Sequence, residues 1–561
     1  MVEIFEKYGL KPYGKTPNPR QLAHMKMEKK AFIHFGVNTF TGKEWGLGDE
    51  IESLFNPTEL DTHQWARVAR DAGCKIVILT AKHHDGFCLW PSAYTEHTVA
   101  KSPYKNGRGD VVREFADACR EYGLLVGIYI SPWDRSVKEW GTPDYNTFYN
   151  NQLTELLTNY GRIDEVWWDG AGSDEVEYDW ELWLNTVRTL QPTAAIFGGT
   201  EYTADLRWVG NEKGTAGTTH YASIEMDCMT GYPAEKLNTG HQGGSRYLFS
   251  ETDVSIRPGW FYHKSQDAFV KTPSVLDNIW FTSVARNSNL LLNFPPDSRG
   301  LIYEADAEYS RISNENIEKM RSVNLAHGAQ LTADSTLADE LSVSNLLDGS
   351  YGTFYMSAKD TVTATVDIIL PEKREINVIA ISEVVELGER INSFTLESLD
   401  DGAHILCEGT SVGYYRAIKF DTGAHRHLRL TLRGVDSIAL RALALHFYEA
   451  PSYVENDAAY DINLVEQHGG GVALSDGNRV ATLAFGGIFE FNTVRATLAE
   501  PAEYRLEVFD GTSFIHRTSG KTDGNELRIR LDEVESGSYQ IKLIATAPFA
   551  ENSEFTVTKE K

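Results

Sequence analysis

Residues 162–170 read Arg-Ile-Asp-Glu-Val-Trp-Trp-Asp-Gly, and this stretch decides the fold class. It has the apolar character of a buried strand and delivers Asp169 into a loop that begins with Gly170. Because side chains alternate along a strand, Trp167 and Asp169 share one face, while Trp168 points the other way. A carboxylate beside buried aromatic rings is costly unless it is hydrogen-bonded or used, which favours a chemical role. The alternative is an Asp that only caps the following turn.

Similar apolar runs recur on both sides of this stretch, with helical patterns between them. Asp61 to Gly73 and Asp110 to Gly123 each combine an N-cap residue, an apolar helix face and a terminal glycine. Eight strands alternating with helices predict an α/β fold, a (β/α)8-like TIM barrel whose strand-end loops carry the active site. The alternative is an open, doubly wound sheet, but no G-x-G-x-x-G or Walker motif supports nucleotide binding. The other seven strand candidates are 31–36, 75–81, 124–130, 194–198, 206–209, 247–251 and 289–294.

The sequence pattern changes after about residue 325. Short alternating runs broken by Gly, Asp and Ser replace the helical periodicity, which is typical of β-sandwiches. We therefore expect C-terminal β-sandwich domains after the barrel. The predicted domains are 1–325, a catalytic barrel; 326–450, a galactose-binding-like β-sandwich; and 451–561, a second β-sandwich-like domain of unknown role. Fold alone does not decide whether the sandwiches bind carbohydrate or brace the barrel.

Composition narrows the choice of partners and compartment. The net charge of -27 over 561 residues argues against nucleic acid and anionic membranes, which need basic patches. No apolar run is long enough for a transmembrane helix, and the acidic N-terminus is unlike a signal peptide. The five cysteines lack any C-x-x-C spacing and indicate free thiols. We expect a cytoplasmic protein; the sequence does not indicate its oligomeric state.

Imidazoles and carboxylates fall at or just beyond the predicted strand ends, which a barrel brings together on one face. They are His34, His83, His84, Asp169 and Glu212. With the neighbouring tryptophans, they predict a sugar pocket in which His bonds hydroxyl groups and Trp stacks on the ring. Histidines satisfied within the core are the alternative, as is a metallohydrolase site.

The metal alternative has weak support in the sequence. His83 and His84 are adjacent, so in an extended chain their side chains point in opposite directions. The barrel region also contains no H-x-H or H-E-x-x-H spacing. We therefore predict no metal and no cofactor.

Five segments, in this order, resemble the α-L-fucosidases of glycoside hydrolase family 29. The resemblance covers roughly residues 15 to 300. It implies a (β/α)8-like barrel followed by a β-sandwich and retaining hydrolysis of terminal α-L-fucose, with Asp169 matching the nucleophile. The segments are His34-Phe-Gly36, Glu44-Trp45, His83-His-Asp-Gly-Phe87, Trp167-Trp-Asp-Gly170 and Leu290-Leu-Leu-Asn293.

Two further segments, 208–212 and 255–262, resemble the subgroup that prefers α-1,3/4-linked fucose in branched Lewis-type glycans. In that subgroup the general acid/base is a Glu that matches Glu212. Glu44 is the rival, because other members use a Glu near that early position. The segment after about residue 455 resembles no part of the family's pattern.

The resemblance implies an exo-acting enzyme whose partner is a fucosylated oligosaccharide. Two alternatives stay open: a catalytically inactive fucose-binding protein and, with less support, a metal-dependent barrel hydrolase. The residues expected to bind substrate, with Trp280 as an aromatic wall, are His34, Glu44, Trp45, His83, His84, Tyr129, Trp167, Trp260 and Trp280.

Overall fold

The computed structural model describes residues 2–172, 176–200, 202–225, 234–450, 463–466, 471–509 and 514–560. The strands of its first three hundred residues are β1 (Lys29–Ile33), β2 (Ile76–Lys82), β3 (Leu125–Ile130), β4 (Glu165–Trp167), β5 (Ala195–Phe197), β6 (Leu206–Trp208), β7 (Ser223–Ile224), β8 (Arg246–Tyr247), β9 (Phe249–Ser255) and β10 (Asn289–Asn293). The helices are α1 (Val2–Tyr8), α2 (Pro19–Met25), α3 (Asn38–Thr41), α4 (Thr62–Asp71), α5 (Val111–Glu121), α6 (Pro143–Asn159), α7 (Trp180–Leu190), α8 (Ala234–Thr239), α9 (Pro273–Thr282) and α10 (Glu304–Arg321).

Eight parallel strands close into a barrel in the order β1-β10-β9-β6-β5-β4-β3-β2. All eight predicted runs are strands of this barrel, which confirms the α/β TIM-barrel class. The predicted run 247–251 is displaced, because the barrel strand is β9, which extends to Ser255. The short antiparallel pair of β7 and β8, between β6 and β9, was not predicted.

The helix signals in the sequence act as expected. The Asp61 side chain accepts hydrogen bonds from the backbone N–H groups of His63 and Gln64, and α4 follows it. Gly73 ends the turn after α4 with a φ of +84°, and a Cβ there would lie 2.2 Å from the Asn314 Oδ1 atom. A glycine is therefore needed at this position, both for its backbone conformation and for its size.

The middle of the chain forms a seven-stranded antiparallel sheet with its own apolar core. β13 and β16 are 21 and 19 residues long, and β13 pairs with β16 along its length while β11 and β17 pair with different parts of it. This β-rich region confirms the predicted β-sandwich after the barrel. Its strands are β11 (Gln330–Ala333), β12 (Tyr355–Met356), β13 (Thr363–Glu383), β14 (Ile391–Ser398), β15 (His404–Gly409), β16 (Arg416–Gly434) and β17 (Ala439–His446).

The last described segment forms a six-stranded sheet, which we call the terminal sheet, around a separate apolar core. Phe269, from a barrel loop, packs against that core. The domain boundaries at 325/326 and 450/451 stay predictions, because a sheet with its own apolar core is not thereby shown to fold independently. The strands are β18 (Gly471–Ser475), β19 (Val480–Thr497), β20 (Glu503–Phe509), β21 (Phe514–Lys521), β22 (Glu526–Ala545) and β23 (Thr556–Thr558).

Among the described residues, no helix combines the length and the apolar character that crossing a bilayer requires. Cys74, Cys88, Cys119 and Cys407 are buried free thiols, and Cys228 lies outside the described residues.

Candidate active site

Asp169 lies just beyond β4, at the carboxyl-terminal end of the barrel, and a quarter of its side chain is exposed. The Tyr129 hydroxyl donates a 3.0 Å hydrogen bond to its Oδ2 atom, and the Ala171 backbone N–H donates a 2.8 Å bond to Oδ1. Both carboxylate oxygens are therefore held in place while one edge stays open to solvent. That is an arrangement suited to a nucleophile rather than to a residue that only caps a turn.

Three histidines line the same end of the barrel. Burial lowers the pKa of His34 to about 3, holds the pKa of His83 well below its usual value, and lowers that of His84 despite the nearby Asp169 carboxylate. All three are therefore mainly uncharged near neutral pH. A neutral imidazole has one donor and one acceptor nitrogen, which suits hydroxyl groups. The Nε2 atom of His84 lies 3.7 Å from Asp169 Oδ2.

Asn293 fixes the orientation of His34. Its Nδ2 atom donates to the Ser255 hydroxyl and to the Trp260 carbonyl, so its Oδ1 atom faces His34 Nδ1 at 2.9 Å. Since that oxygen only accepts, His34 Nδ1 is the donor and its Nε2 lone pair is left for a ligand hydroxyl. His83 lies beside it, and its buried Nδ1 atom has no hydrogen-bond partner among the described residues.

Aromatic rings form the floor of the site. Trp167 stacks on Phe197 with ring centroids 4.0 Å apart and on Tyr129 at 5.4 Å. The indole N–H of Trp167 donates to Glu251 at 3.2 Å, so the polar edge of the ring points into the barrel. The stacked rings of Phe197 and Tyr129 contact its apolar faces. Trp45 is half exposed at the rim, with its ring 6.2 Å from that of His84. Trp45, Tyr129 and Trp167 therefore lie at the same end of the barrel as Asp169 and the three histidines.

Glu212 follows β6 and approaches the same site. The indole N–H of Trp260 donates to its Oε2 atom at 3.3 Å. Burial raises the pKa of Glu212 to about 7, and the negative charges of Asp169 and Glu44 act in the same direction. A carboxyl group that keeps its proton near neutral pH can serve as a general acid and, once ionised, as a general base.

Glu44 has a different environment. It accepts hydrogen bonds from the backbone N–H groups of Trp260 at 2.9 Å and Phe261 at 3.3 Å, and it contacts His263 Nε2 at 2.7 Å. Its oxygens are therefore occupied by the turn of residues 257–263, which we call the tryptophan turn. Glu44 anchors this turn, whereas Glu212 has one side-chain donor, Trp260, among the residues that the structure describes. The environments favour Glu212 over Glu44 as the acid/base.

Trp280 is not part of this cluster, and its prediction as a pocket wall is wrong. It lies on α9 with 1% of its surface exposed, and lines a small cavity beside Lys29 and Leu290 at the amino-terminal ends of β1 and β10. Its ring is 6.0 Å from that of Tyr415 in the sandwich region. Trp280 therefore packs the barrel against the sandwich, away from the strand ends that carry Asp169.

The sequence reasoning missed Asp253. This carboxyl group is buried on β9 and accepts a 2.9 Å hydrogen bond from the indole N–H of Trp208. Burial raises its pKa well above the usual value, and the charges of Glu212 and Asp169 add to the effect. The predicted strand ends at Glu251. Side chains two residues apart share one face of a strand, so a strand that continues past Glu251 would place Asp253 on the same inner face.

A possible metal-ligand cluster lies lower in the barrel. His24, Glu165 and Glu251 place ligand atoms within 4.8 Å of one another, the one such group among the described residues. The ammonium group of Lys30 donates to Glu165 at 2.7 Å and also to Glu251, and it contacts His24 Nδ1 at 3.0 Å. Lys30 therefore already supplies a cation between these carboxylates, and the donor set fits an internal ion-pair network better than a metal centre.

Comparisons with known proteins agree with this site. Residues 14–312 match the family model described as "Alpha-L-fucosidase". Over 425 residues, the chain is 40% identical to alpha-L-fucosidase 1 of Arabidopsis thaliana, with 73% of this chain and 82% of that protein covered.

Solved structures extend the likeness. A glycoside hydrolase 29 family member from a rumen bacterium is 32% identical, with a TM-score of 0.71 over 98% of this chain and 100% of that one. A Ruminococcus gnavus GH29 fucosidase in complex with fucose is 30% identical, with a TM-score of 0.72 over 79% of this chain and 96% of that one. The chain therefore belongs to the α-L-fucosidases of glycoside hydrolase family 29, which are retaining glycoside hydrolases.

Proposed function

We propose that this α-L-fucosidase removes terminal α-1,3/4-linked L-fucose from branched, Lewis-type oligosaccharides by double displacement. Asp169 attacks the anomeric carbon while the protonated Glu212 donates its proton to the departing sugar oxygen. Glu212 then takes a proton from the water that releases fucose from Asp169. The contrast between these two carboxyl groups is the observation that carries the proposal.

The two environments match the two roles. Asp169 is oriented by the Tyr129 hydroxyl and a backbone N–H, with an open edge towards the pocket. Glu212 is partly protonated at neutral pH, because its desolvation and the negative charges of Asp169 and Glu44 raise its pKa to about 7. A nucleophile must be ionised and an acid must be protonated at the same pH, and unequal surroundings allow both.

Fucose itself would be held by the uncharged imidazoles and the aromatic floor. His34 Nε2 is a polar atom available to a sugar hydroxyl. The apolar face of the sugar would contact the ring system of Trp167 and Tyr129, and Trp45 would stand at the rim near the leaving sugar. The substrate-binding set is therefore His34, Trp45, His83, His84, Tyr129, Trp167 and Trp260, with Glu44 holding the turn that carries Trp260.

The linkage preference rests on the two segments that resemble the α-1,3/4 subgroup. In this chain they meet, because Trp260 of the second segment donates to Glu212 of the first. The two segments therefore lie at one site, with Glu212 as the acid/base that the resemblance to the subgroup implies. This contact is the structural observation that supports the proposed preference for a branched substrate.

Fucose release from a Lewis-type α-1,3/4 trisaccharide and from an α-1,2-linked trisaccharide tests the proposal directly. Release from the branched substrate alone supports the linkage preference, whereas release from both retains the fucosidase and removes the preference. Proton NMR of the first product anomer tests retention. Fucoside binding by calorimetry with no release would favour the inactive fucose-binding alternative.

A further inference from the structure

A short element beside the active site packs against the terminal sheet. The 3-10 helix Lys264–Phe269 follows the tryptophan turn directly, and Val270 comes next. Phe269 packs into the core of the terminal sheet, whereas Val270 is buried in the core of the barrel. Two consecutive side chains therefore tie this segment to two different cores.

The contact with the terminal sheet is an aromatic pair. Phe489 on β19 is 3% exposed, and its ring meets that of Phe269 edge to face with centroids 5.7 Å apart. Edge-to-face pairs of this kind fix orientation as well as burying area. Lys271 follows this segment in the chain. Burial lowers the pKa of its ammonium group to about 8, and the negative charge of Glu490, which is also on β19, acts in the opposite direction.

The 3-10 helix in turn grips the tryptophan turn. The buried Gln266 side chain accepts a 3.1 Å hydrogen bond from the Gly259 backbone N–H. Asp267 accepts from the Arg257 guanidinium at 2.9 Å and from the Tyr262 hydroxyl at 3.3 Å. The helix is thus bonded to the beginning, the middle and the end of the turn, so a shift of one moves the other.

The tryptophan turn carries the side chain that contacts the acid/base. Trp260 is held by Glu44 at its backbone N–H and by Asn293 at its carbonyl, and its indole N–H reaches Glu212. A continuous set of contacts therefore runs from the terminal sheet to Glu212.

We propose that Phe489 is a positioning residue for the fucosidase reaction: through Phe269 and the 3-10 helix it holds Trp260 against Glu212. The terminal sheet is then part of the catalytic apparatus. This inference rests on the proposed role of Glu212 as acid/base. The region after residue 450, whose role the sequence does not indicate, then has a function.

The test uses Phe489→Leu and Phe269→Leu in the full chain, with Phe555→Leu as the matched control. Phe555 is also buried in the terminal core, paired with Phe549 at 5.0 Å, but it belongs to the far end of the chain and not to the contact with Phe269. Leucine keeps apolar volume at each site and removes the ring edge. Phe269→Leu changes no residue of the terminal sheet itself, so it tests the contact even if Phe489→Leu folds poorly.

Loss of the contact should lower kcat for a natural glycan by about tenfold, because small displacements of catalytic groups are costly. KM should change less, and an aryl fucoside with a good leaving group should be nearly unaffected. The basic limb of the pH profile should move to higher pH, since the Trp260 hydrogen bond favours the ionised form of Glu212. Asp169, Glu44 and Asp253, the other titratable groups that act on Glu212, are unchanged in these variants.

The double variant should be no slower than the slower single variant if the two rings act through one contact. Wild-type kcat and pH profile in both single variants would overturn the inference, and so would the same kinetic change in Phe555→Leu. Asp169→Asn and Glu212→Ala separate this result from the parent proposal. If they are inactive while Phe489→Leu is unchanged, only the positioning role is lost; if they are active, the catalytic assignment itself fails.

Discussion

The two ends of the barrel interior bury carboxyl groups in different ways. Near the amino-terminal end, Lys30 neutralises Glu165 and Glu251 directly. At the carboxyl-terminal end, neutral donors hold the acids: Tyr129 bonds Asp169, and indole N–H groups bond Glu212 and Asp253.

This difference separates a structural cluster from a chemical one. One ammonium group bonded to two carboxylates can persist in a core because the groups satisfy one another's hydrogen bonds, while burial and the charge of Glu165 raise the pKa of Glu251 to about 7 and so reduce the excess negative charge. Several acids that raise one another's pKa are costly to fold, and such clusters occur preferentially at functional sites. Each of the following substitutions tests one side of that contrast.

Asp169→Asn should have the largest effect. Loss of the nucleophile should reduce kcat/KM on a fucoside by about 10⁴-fold or more, while the melting temperature stays near that of the parent protein. Fucose release and thermal unfolding measure the two quantities. Asp61→Asn is a matched control, since asparagine also caps a helix and this position is far along the chain from the site. Activity within tenfold of the parent would remove Asp169 from its role.

Lys30→Met should affect stability instead of chemistry. It leaves Glu165 and Glu251 buried without their cation, which typically costs about 3–5 kcal/mol in the free energy of unfolding. Chemical denaturation measures this loss, and Lys138→Met, at an exposed position, controls for the loss of a positive charge. If Lys30→Met is as stable as the parent, the amino-terminal cluster is not held by its cation.

Glu212→Ala and Glu44→Ala should separate proton donation from anchoring. Without the acid, kcat for a natural glycan should fall by about 10²–10⁴-fold, but much less for an aryl fucoside, whose leaving group needs no proton. Glu44→Ala releases the tryptophan turn and loosens Trp260 beside Glu212, so it should slow the natural glycan less than Glu212→Ala does and should keep the basic limb of the pH profile. Kinetics on the two substrates across pH decide the matter, and loss of the basic limb in Glu44→Ala with its retention in Glu212→Ala would transfer the acid/base role to Glu44.

Asp253→Asn should have the smallest effect, seen in the pH profile. Glu212 must be protonated to act as an acid, so activity should fall as the pH rises above about 7. The raised pKa of Asp253 favours its protonated, uncharged form, so replacing the carboxyl group with an amide should leave this limb nearly in place. The amide can still accept from Trp208. A clear shift of the limb to lower pH, with none in Asp61→Asn, would show instead that Asp253 carries a negative charge when Glu212 titrates.

The fold was predictable where local signals repeat. Asp61 with Gly73 marks a helix because capping and left-handed turns depend on residues within a few positions. Strand ends then bring Asp169 and the three histidines together through barrel geometry alone. Glu212 also lies at a strand end, so its position followed from the same rule.

The remaining features depend on contacts between distant parts of the chain. Glu44 acts through the tryptophan turn, more than two hundred residues later, and no local pattern indicates this. Trp280 was misplaced although Leu276, Ile279 and Trp280 have the spacing of a buried helix face. The α-1,3/4 preference stays a proposal, and the domain boundaries and the cytoplasmic location stay predictions.

The uncharged state of His34, His83 and His84 also bears on inhibition. Because burial keeps these imidazoles from becoming cations, they would not repel a positively charged ligand beside Asp169. A fucose analogue with a protonated nitrogen in its ring resembles the charge of an oxocarbenium-like transition state. Preference for such compounds over neutral analogues would then come from the negative charge of Asp169, which the three uncharged imidazoles leave unopposed.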